Sequence, residues 1–277
     1  MSVVLITGCS TGFGLEFVSA FARRRDTVVA TARNPEGANA LKSAIADQGL
    51  KNVVLRQLDV NKPDSVQRAV DVTIESEGRI DVLVNNAGIG AVSPLETLDD
   101  AVLREVFETN VFGAMAVTRA VLPHMRKQRS GRIVFTNAIG RILNTPYLGA
   151  YCSSKHAVDC IAATWDIELR QFGIRVSSVM PSAFQTAFAG NMDSNFAEGT
   201  EYEAPAREYY EGLKARIENG PTDLSPVADA VIDAATSPEP RQRYLIAPHL
   251  ANVLGPLIDN LEEIHQREAS LAPQGKK

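Results

Sequence analysis

The sequence predicts an α/β fold built on a doubly wound parallel sheet, and three observations carry that prediction. Short apolar, β-branched runs alternate with amphipathic helical stretches along the chain. The first run passes directly into a glycine-rich turn and then a helix. No repeat, linker or low-complexity tract divides the 277 residues. Alternation of this kind implies parallel strands with right-handed crossovers, a Rossmann-type arrangement. A single nucleotide-binding domain over 1–277 is expected, with 187–221 as a substrate lid and 270–277 disordered.

Composition narrows the function. At 45% hydrophobic and 22% charged residues the chain can build one sizeable core, burying roughly three quarters of its unfolded surface. A formal charge of −5 argues against a nucleic-acid partner, whose phosphates want a basic face. The one basic cluster, Arg23-Arg24-Arg25, falls where the first helix should end, and cations there complement the helix dipole. Cys9, Cys152 and Cys160 are odd in number and lack metal-ligand spacing. No metal is expected; each thiol should fill space as a small hydrophobe in a reducing, cytoplasmic compartment. The N-terminus enters strand pattern at once, and no apolar run approaches the roughly 20 residues that span a bilayer. A soluble chain without a membrane partner is expected.

Val3 to Ile6 reads as a strand buried on both faces. It leads into Thr7-Gly8-Cys9-Ser10-Thr11-Gly12-Phe13-Gly14 and a helix whose apolar face runs through Leu15, Val18 and Phe21. Gly8 permits the tight turn, Gly12 lets backbone approach a pyrophosphate, and Gly14 allows close helix–strand packing. The helix N-terminus then offers unpaired N–H groups to an anion. A ligand-free flexible loop is the alternative, disfavoured by the placement between strand and helix.

Thr27 to Ala32 is the second strand. Its end decides the cofactor, because a carboxylate there would bond ribose hydroxyls whereas an arginine accommodates a 2′-phosphate. The residues are Arg33-Asn34, so NADP is expected ahead of NAD, with a merely solvated arginine as the alternative. A helix over 35–48 and a strand over 53–58 follow. Asp59 closes that strand, placed either to meet the adenine amino group or to cap the helix over 63–77. The strand over 80–84 runs into Asn85-Asn86-Ala87-Gly88. A long helical region from Thr97 to Met125 contains Asn110 and Gly113, poor helix-interior residues that suggest a functional distortion or a tolerated surface pair.

Gly131 to Asn137 is the fifth strand, and a helix to about Phe172 begins near Tyr151-Cys152-Ser153-Ser154-Lys155. The Tyr151–Lys155 spacing puts both side chains on one helix face. An ammonium beside a phenol favours the phenolate, so Lys155 should lower the Tyr151 pKa and fit the tyrosine for proton transfer. Ile174 to Met180 is the sixth strand, ending in Pro181-Ser182-Ala183-Phe184-Gln185-Thr186 at the sheet edge where ligands bind. Phe188, Met192, Phe196, Tyr202, Tyr209 and Tyr210 in the looser stretch beyond suggest an apolar substrate or plain packing. Helices over 205–218, 226–235 and 250–268 and a short strand over 243–247 complete the chain.

These features together resemble the short-chain dehydrogenase/reductase family over essentially the whole chain. The shared pattern comprises the glycine motif at Thr7 to Gly14, Asn85 to Gly88, Asn110, Tyr151 with Lys155, and Pro181 with Thr186. The resemblance implies an NADP(H)-dependent enzyme interconverting a ketone or aldehyde and an alcohol, on a lipophilic small-molecule substrate. It implies that Tyr151 exchanges a proton with the substrate oxygen and that Lys155 holds the nicotinamide ribose. It further implies that Asn110 anchors a relay water and that Thr186 bonds the carboxamide. Gly8, Ser10, Thr11, Gly12, Phe13, Gly14, Arg33, Asp59, Val60, Asn86, Ala87, Gly88 and Pro181 would line the rest of the cofactor. A homodimer or homotetramer through the helices around Asn110 and Tyr151 is also implied.

Ser182 stands where the family usually has glycine, a mild departure. A larger one lies thirteen residues before Tyr151, where the family's catalytic serine is replaced by Ala138. Losing one such oxyanion donor costs about 3–4 kcal/mol. Thr136 lies about 7 Å back along the strand and is a poor substitute, and Asn137 should face the opposite side unless the strand twists out. Three accounts are open: an engineered replacement that traps a complex, a natural enzyme working slowly or with a displaced donor, and a non-catalytic NADP(H)-binding sensor or regulatory protein. The first is favoured because every other catalytic position is intact.

Overall fold

The computed structural model describes residues 1–188, 190 and 192–271. Seven parallel strands form the central sheet: β1 (Val3–Ile6), β2 (Thr27–Ala32), β3 (Val53–Gln57), β4 (Val82–Asn85), β6 (Gly131–Thr136), β7 (Ile174–Pro181) and β9 (Arg243–Ile246). Their order is β3-β2-β1-β4-β6-β7-β9. The order reverses between β1 and β4, the switch point at whose carboxyl edge open α/β sheets bind ligands.

The sheet is buried on both faces, which is why its strands read as nearly continuous apolar runs. Val4 and Ile6 of β1 point to one side, joining Val28, Ala30, Val82 and Val84. That side packs on α1 (Gly12–Arg23), α2 (Asn39–Asp47) and α8 (Ser225–Thr236) through Phe17, Phe21, Leu41, Val227 and Val231. Val3 and Leu5 point the other way with Val29, Leu83, Ile133 and Phe135. They meet α3 (Pro63–Glu77), α5 (Ala114–Gln128) and α6 (Gly149–Leu169) through Val66, Val70, Val117, Val121, Val158 and Ala162.

Where expectation and structure differ, local chemistry explains it. The second helix starts at Asn39 rather than 35, because the Asn34 side chain accepts the Gly37 N–H at 3.2 Å and holds a turn there. The long region after Thr97 is interrupted. Asp99 caps α4 (Asp100–Phe107), accepting the Ala101 N–H at 2.7 Å. A π-helical turn then spans Glu108–Gly113 before α5 begins, and Asn110 and Gly113 both sit in it. Two two-residue strands, β5 (Ala91–Val92) and β8 (Asp193–Ser194), pair in parallel and were not foreseen. They strap the stretch ahead of α7 (Glu203–Glu218) to the loop after β4.

The last helix, α9 (Ala251–Leu271), takes in residues 270 and 271, where disorder was expected. The remainder of that expected tail, 272–277, lies outside the described residues. Helix α9 is pinned to α6 by His265 Nε2, 2.9 Å from Asp166 Oδ2. Asp166 is fully buried and also accepts from Arg170, Arg175 and the Val176 N–H. Cys9 and Cys152 are buried as expected, but Cys160 is exposed on the outer face of α6.

Candidate active site

A cavity of about 520 Å³ opens at the carboxyl edge of the sheet, within the roughly 300–1,000 Å³ typical of ligand sites. Its wall brings together the turn residues Gly8, Ser10, Thr11, Gly12 and Phe13, the strand-end residues Arg33, Asp59 and Val60, and Asn86, Ala87 and Gly88. At its other end lie Ala138, Tyr151, Lys155, Pro181 and Thr186. Gly14 and Asn110 are not on the wall. Asn61, Ile89, Thr109 and Ile217, not singled out in the sequence, are. The first three adjoin or lie near motif residues; nothing in the sequence marks Ile217.

The glycine turn is fixed by steric need. Gly8 and Gly12 have φ of +70° and +61°, a region that L side chains rarely adopt. A Cβ on Gly8 would come within 2.8 Å of the Ala87 Cα, and one on Gly14 would collide with the Gly8 carbonyl and the Asn86 amide. Asn86 Nδ2 donates to the Thr7 and Gly8 carbonyls at 3.0 and 2.9 Å, and Thr7 Oγ1 accepts the Asn86 and Ala87 N–H groups. The end of β4 is thereby laced to the turn. Helix α1 opens with no carboxylate in its first turn and no side-chain bond from Thr11. Its N–H groups and the cleared backbone suit a pyrophosphate, so these residues fit a dinucleotide.

At the far end of the glycine side, Arg33 is exposed and no acid follows β2. Asp59 does not cap α3. Its Oδ1 accepts the Asn61 N–H at 3.1 Å in a local turn, and Lys62 at the helix start makes no side-chain cap.

Tyr151 stands in the first turn of α6, with the Lys155 ammonium 5.6 Å from its ring centroid. Lys155 is 7% exposed, and burial lowers its pKa to about 8. Its Nζ donates to the Thr136 carbonyl at 2.9 Å. Contrary to expectation, the Tyr151 pKa lies above the ordinary phenol value. Burial is the chief cause, with the Cys152 thiol a lesser one. Losing hydration of a phenolate outweighs a lysine that sits over the ring and bonds elsewhere. The phenol is therefore neutral at physiological pH and fitted to donate.

Asn110 serves the site from behind. Its Nδ2 donates to the Ile89 carbonyl and Ser154 Oγ, each at 2.9 Å, while its Oδ1 accepts the Ile89 N–H at 2.8 Å. A Cβ on Gly88 would lie 3.2 Å from Asn110 Oδ1, a tight contact, and 3.7 Å from Lys155 Nζ, an ordinary one.

Ala138 presents a methyl group to the cavity just beyond β6. Thr136 and Asn137 line it too, which corrects the expectation that Asn137 turns away. Thr136 is the last residue of β6, the Asn137 N–H still donates to the Val179 carbonyl at 2.8 Å, and Asn137 Oδ1 accepts the Ala138 N–H at 2.9 Å. Phe188 closes the opposite side, its ring centroid 5.4 Å from that of Tyr151. Beyond Tyr151 an apolar cluster joins Val92, Leu148 and Tyr147 to Met192, Tyr209, Tyr210 and Leu213. Among the described residues no group of three or more His, Cys, Asp or Glu could hold a metal, and no helix is long and apolar enough to cross a membrane.

The family profile described as short chain dehydrogenase matches residues 2–196. The "uncharacterized oxidoreductase YbbO" of Escherichia coli (strain K12) is 35% identical over 242 residues, covering 87% of this chain and 84% of that protein. Retinol dehydrogenase 8 of Bos taurus is 38% identical over 192 residues, covering 68% and 61%. A short chain dehydrogenase/reductase from Burkholderia phymatum, solved in complex with NAD, superposes with a TM-score of 0.81 at 27% identity over 94% of each chain.

Proposed function

The chain belongs to the short-chain dehydrogenase/reductase family, and on that premise we propose that it is an NADP(H)-dependent oxidoreductase interconverting a lipophilic ketone or aldehyde and the alcohol. The observation that carries this reading is the single cavity joining the glycine turn to Tyr151 and Lys155. When bound, the nicotinamide supplies a hydride to the carbonyl carbon. Tyr151, half-buried and with its pKa raised by loss of hydration, is neutral and donates its proton to the substrate oxygen. Lys155 holds a positive charge beside that proton below about pH 8 and favours its release.

Gly8, Gly12 and the start of α1 receive the pyrophosphate, Asn86 to Gly88 and Asp59 with Val60 flank the adenosine, and Pro181 and Thr186 border the nicotinamide. The NADP preference rests on Arg33, which offers a cation and no carboxylate where a 2′-phosphate would lie. The Burkholderia protein holds NAD, so that preference is a property of this chain's own residue. Phe188 on the cavity wall, backed by the apolar cluster of Met192, Tyr209 and Tyr210 beyond Tyr151, favours a lipophilic substrate, in keeping with the retinol in the name of one relative. Residues 187–221 act as a lid. Phe112, 55% exposed on the π-helical turn, supports self-association through that helix. Three free thiols suit a reducing cytoplasm.

Ala138 impairs this activity, since position 138 offers no hydroxyl to share the substrate oxygen with Tyr151. The test is NADPH oxidation with a panel of aryl and long-chain ketones, against Tyr151→Phe. Slow turnover that Tyr151→Phe abolishes is the expected result. Binding of NADPH with no turnover, even in Ala138→Ser, would instead identify a cofactor sensor.

A further inference from the structure

We propose that Arg141 is a positioning residue for Tyr151: by reaching to Asp159 on α6 it holds the loop after Ala138 against the tyrosine ring. The inference rests on the reading of Tyr151 as proton donor. Arg141 closes the short turn Ile139–Arg141, its N–H donating to the Ala138 carbonyl at 3.0 Å. Gly140, at the middle of that turn, faces the tyrosine ring: a Cβ there would lie in ordinary contact, 3.6 Å, with Tyr151 Cε1 and 3.3 Å from Cys152 Sγ, so the loop lies about one methyl group away from the ring.

The guanidinium next door points along the helix, with Arg141 Nε 3.3 Å from Asp159 Oδ2. Asp159 follows Lys155 by one helical turn and Tyr151 by two, on the same face. From the other side Arg243 of β9 grips the same carboxylate through Nε and Nη2, at 3.1 and 2.9 Å. Asp159 and Arg243 are 4% and 7% exposed, so the cluster is shielded from water.

Stability does not account for the second arginine. Asp159 is already paired to Arg243, and Arg141 Nε and Nη2 are buried without a hydrogen-bond partner. Burial moreover holds the Arg141 pKa below its ordinary range. A cation placed at such cost in the turn behind Ala138, aimed at the helix that carries Tyr151 and Lys155, orients the site rather than stabilises the fold.

Arg141→Met leaves the Asp159–Arg243 pair whole, so the protein should fold with its melting temperature and NADPH affinity unchanged. Ketone reduction, measured in the present chain and in an Ala138→Ser background, should lose about tenfold in kcat with KM unchanged, because a misplaced donor is penalised mainly in the transition state. Arg141→Lys should recover most of the loss. An unchanged kcat, or a fall in kcat accompanied by loss of melting temperature and not rescued by lysine, overturns the proposal. If neither background reduces any ketone, the functional reading fails and the clamp is judged without turnover. Ultraviolet difference absorbance then follows the Tyr151 phenol, isolated by subtracting the Tyr151→Phe protein. The titratable groups facing that ring are Lys155 and Cys152 of α6 and the cluster tyrosines Tyr147, Tyr209 and Tyr210; Gly140 and Phe188, which pack on it from loop and lid, carry none. Loosening the loop should let water in and move the phenol's titration to lower pH, and an unmoved titration in Arg141→Met sinks the proposal.

Discussion

Lys155 Nζ donates a 2.9 Å hydrogen bond to the carbonyl of Thr136, tying the helix of Tyr151 to the end of β6 two residues before Ala138. The bond keeps the ammonium buried, and burial lowers its pKa to about 8. The ionisation that matters in the neutral range is thus the lysine's, while the Tyr151 phenol stays protonated.

A pH profile should show this. Lys155 is charged below about pH 8 and loses its proton above it. Reduction, measured as kcat/KM against pH, should therefore hold steady up to that point and fall beyond it. Lys155→Met should be slow throughout and lack the limb. A wild-type profile flat to pH 10 would remove the lysine from the account.

The proposed NADP preference rests on Arg33. Losing a charge-assisted contact to a 2′-phosphate and gaining a carboxylate should shift the ratio of NADPH to NADH affinity in Arg33→Asp by roughly ten- to a hundredfold toward NADH. Titration of both cofactors by nicotinamide fluorescence reads the ratio directly. An unchanged ratio contradicts the assignment.

Gly14 is set so tightly under the turn that a methyl group there meets the Gly8 carbonyl and the Asn86 amide. Gly14→Ala should lower the melting temperature and weaken binding of either cofactor alike. Retained affinity at unchanged stability would show that the turn has slack.

Much of this was legible in the sequence because the sheet is buried on both faces. Strands such as Val3–Ile6 had to be unbroken apolar runs, and Pro63 marked the first residue of α3. The disturbance at Asn110 and Gly113 was visible as poor helix formers, and it proved to be a π-helical turn. Other features depend on contacts between distant segments. The two-residue strands β5 and β8 carry no periodicity. The direction of the Tyr151 pKa follows from burial by Phe188 and the Gly140 loop, which spacing along one helix cannot reveal.

The docking of α9 rests on Asp166. Its pKa is held well below the usual carboxylate range. Burial opposes ionisation, but hydrogen bonds from His265, Arg175 and the Val176 N–H more than offset it. A lowered folded-state value means the contribution is complete above the unfolded pKa near 3.9 and lost as pH falls below it. Asp166→Asn, which takes the carboxylate from the half-buried Arg170 and Arg175 and from His265, should cost about 1–3 kcal/mol, a melting-temperature drop of roughly 5 °C. The difference between variant and parent should persist from pH 5 to 8 and shrink in acid. Equal melting temperatures at pH 7 would refute it.

Tyr151 and Lys155 should form a working proton-donating site that lacks one hydroxyl, at Ala138. The most direct measurement is kcat for NADPH-dependent ketone reduction in Ala138→Ser beside the present chain. Restoring one oxyanion donor should raise kcat by about 10²–10³ and leave NADPH affinity unchanged. A kcat that does not move would contradict the account.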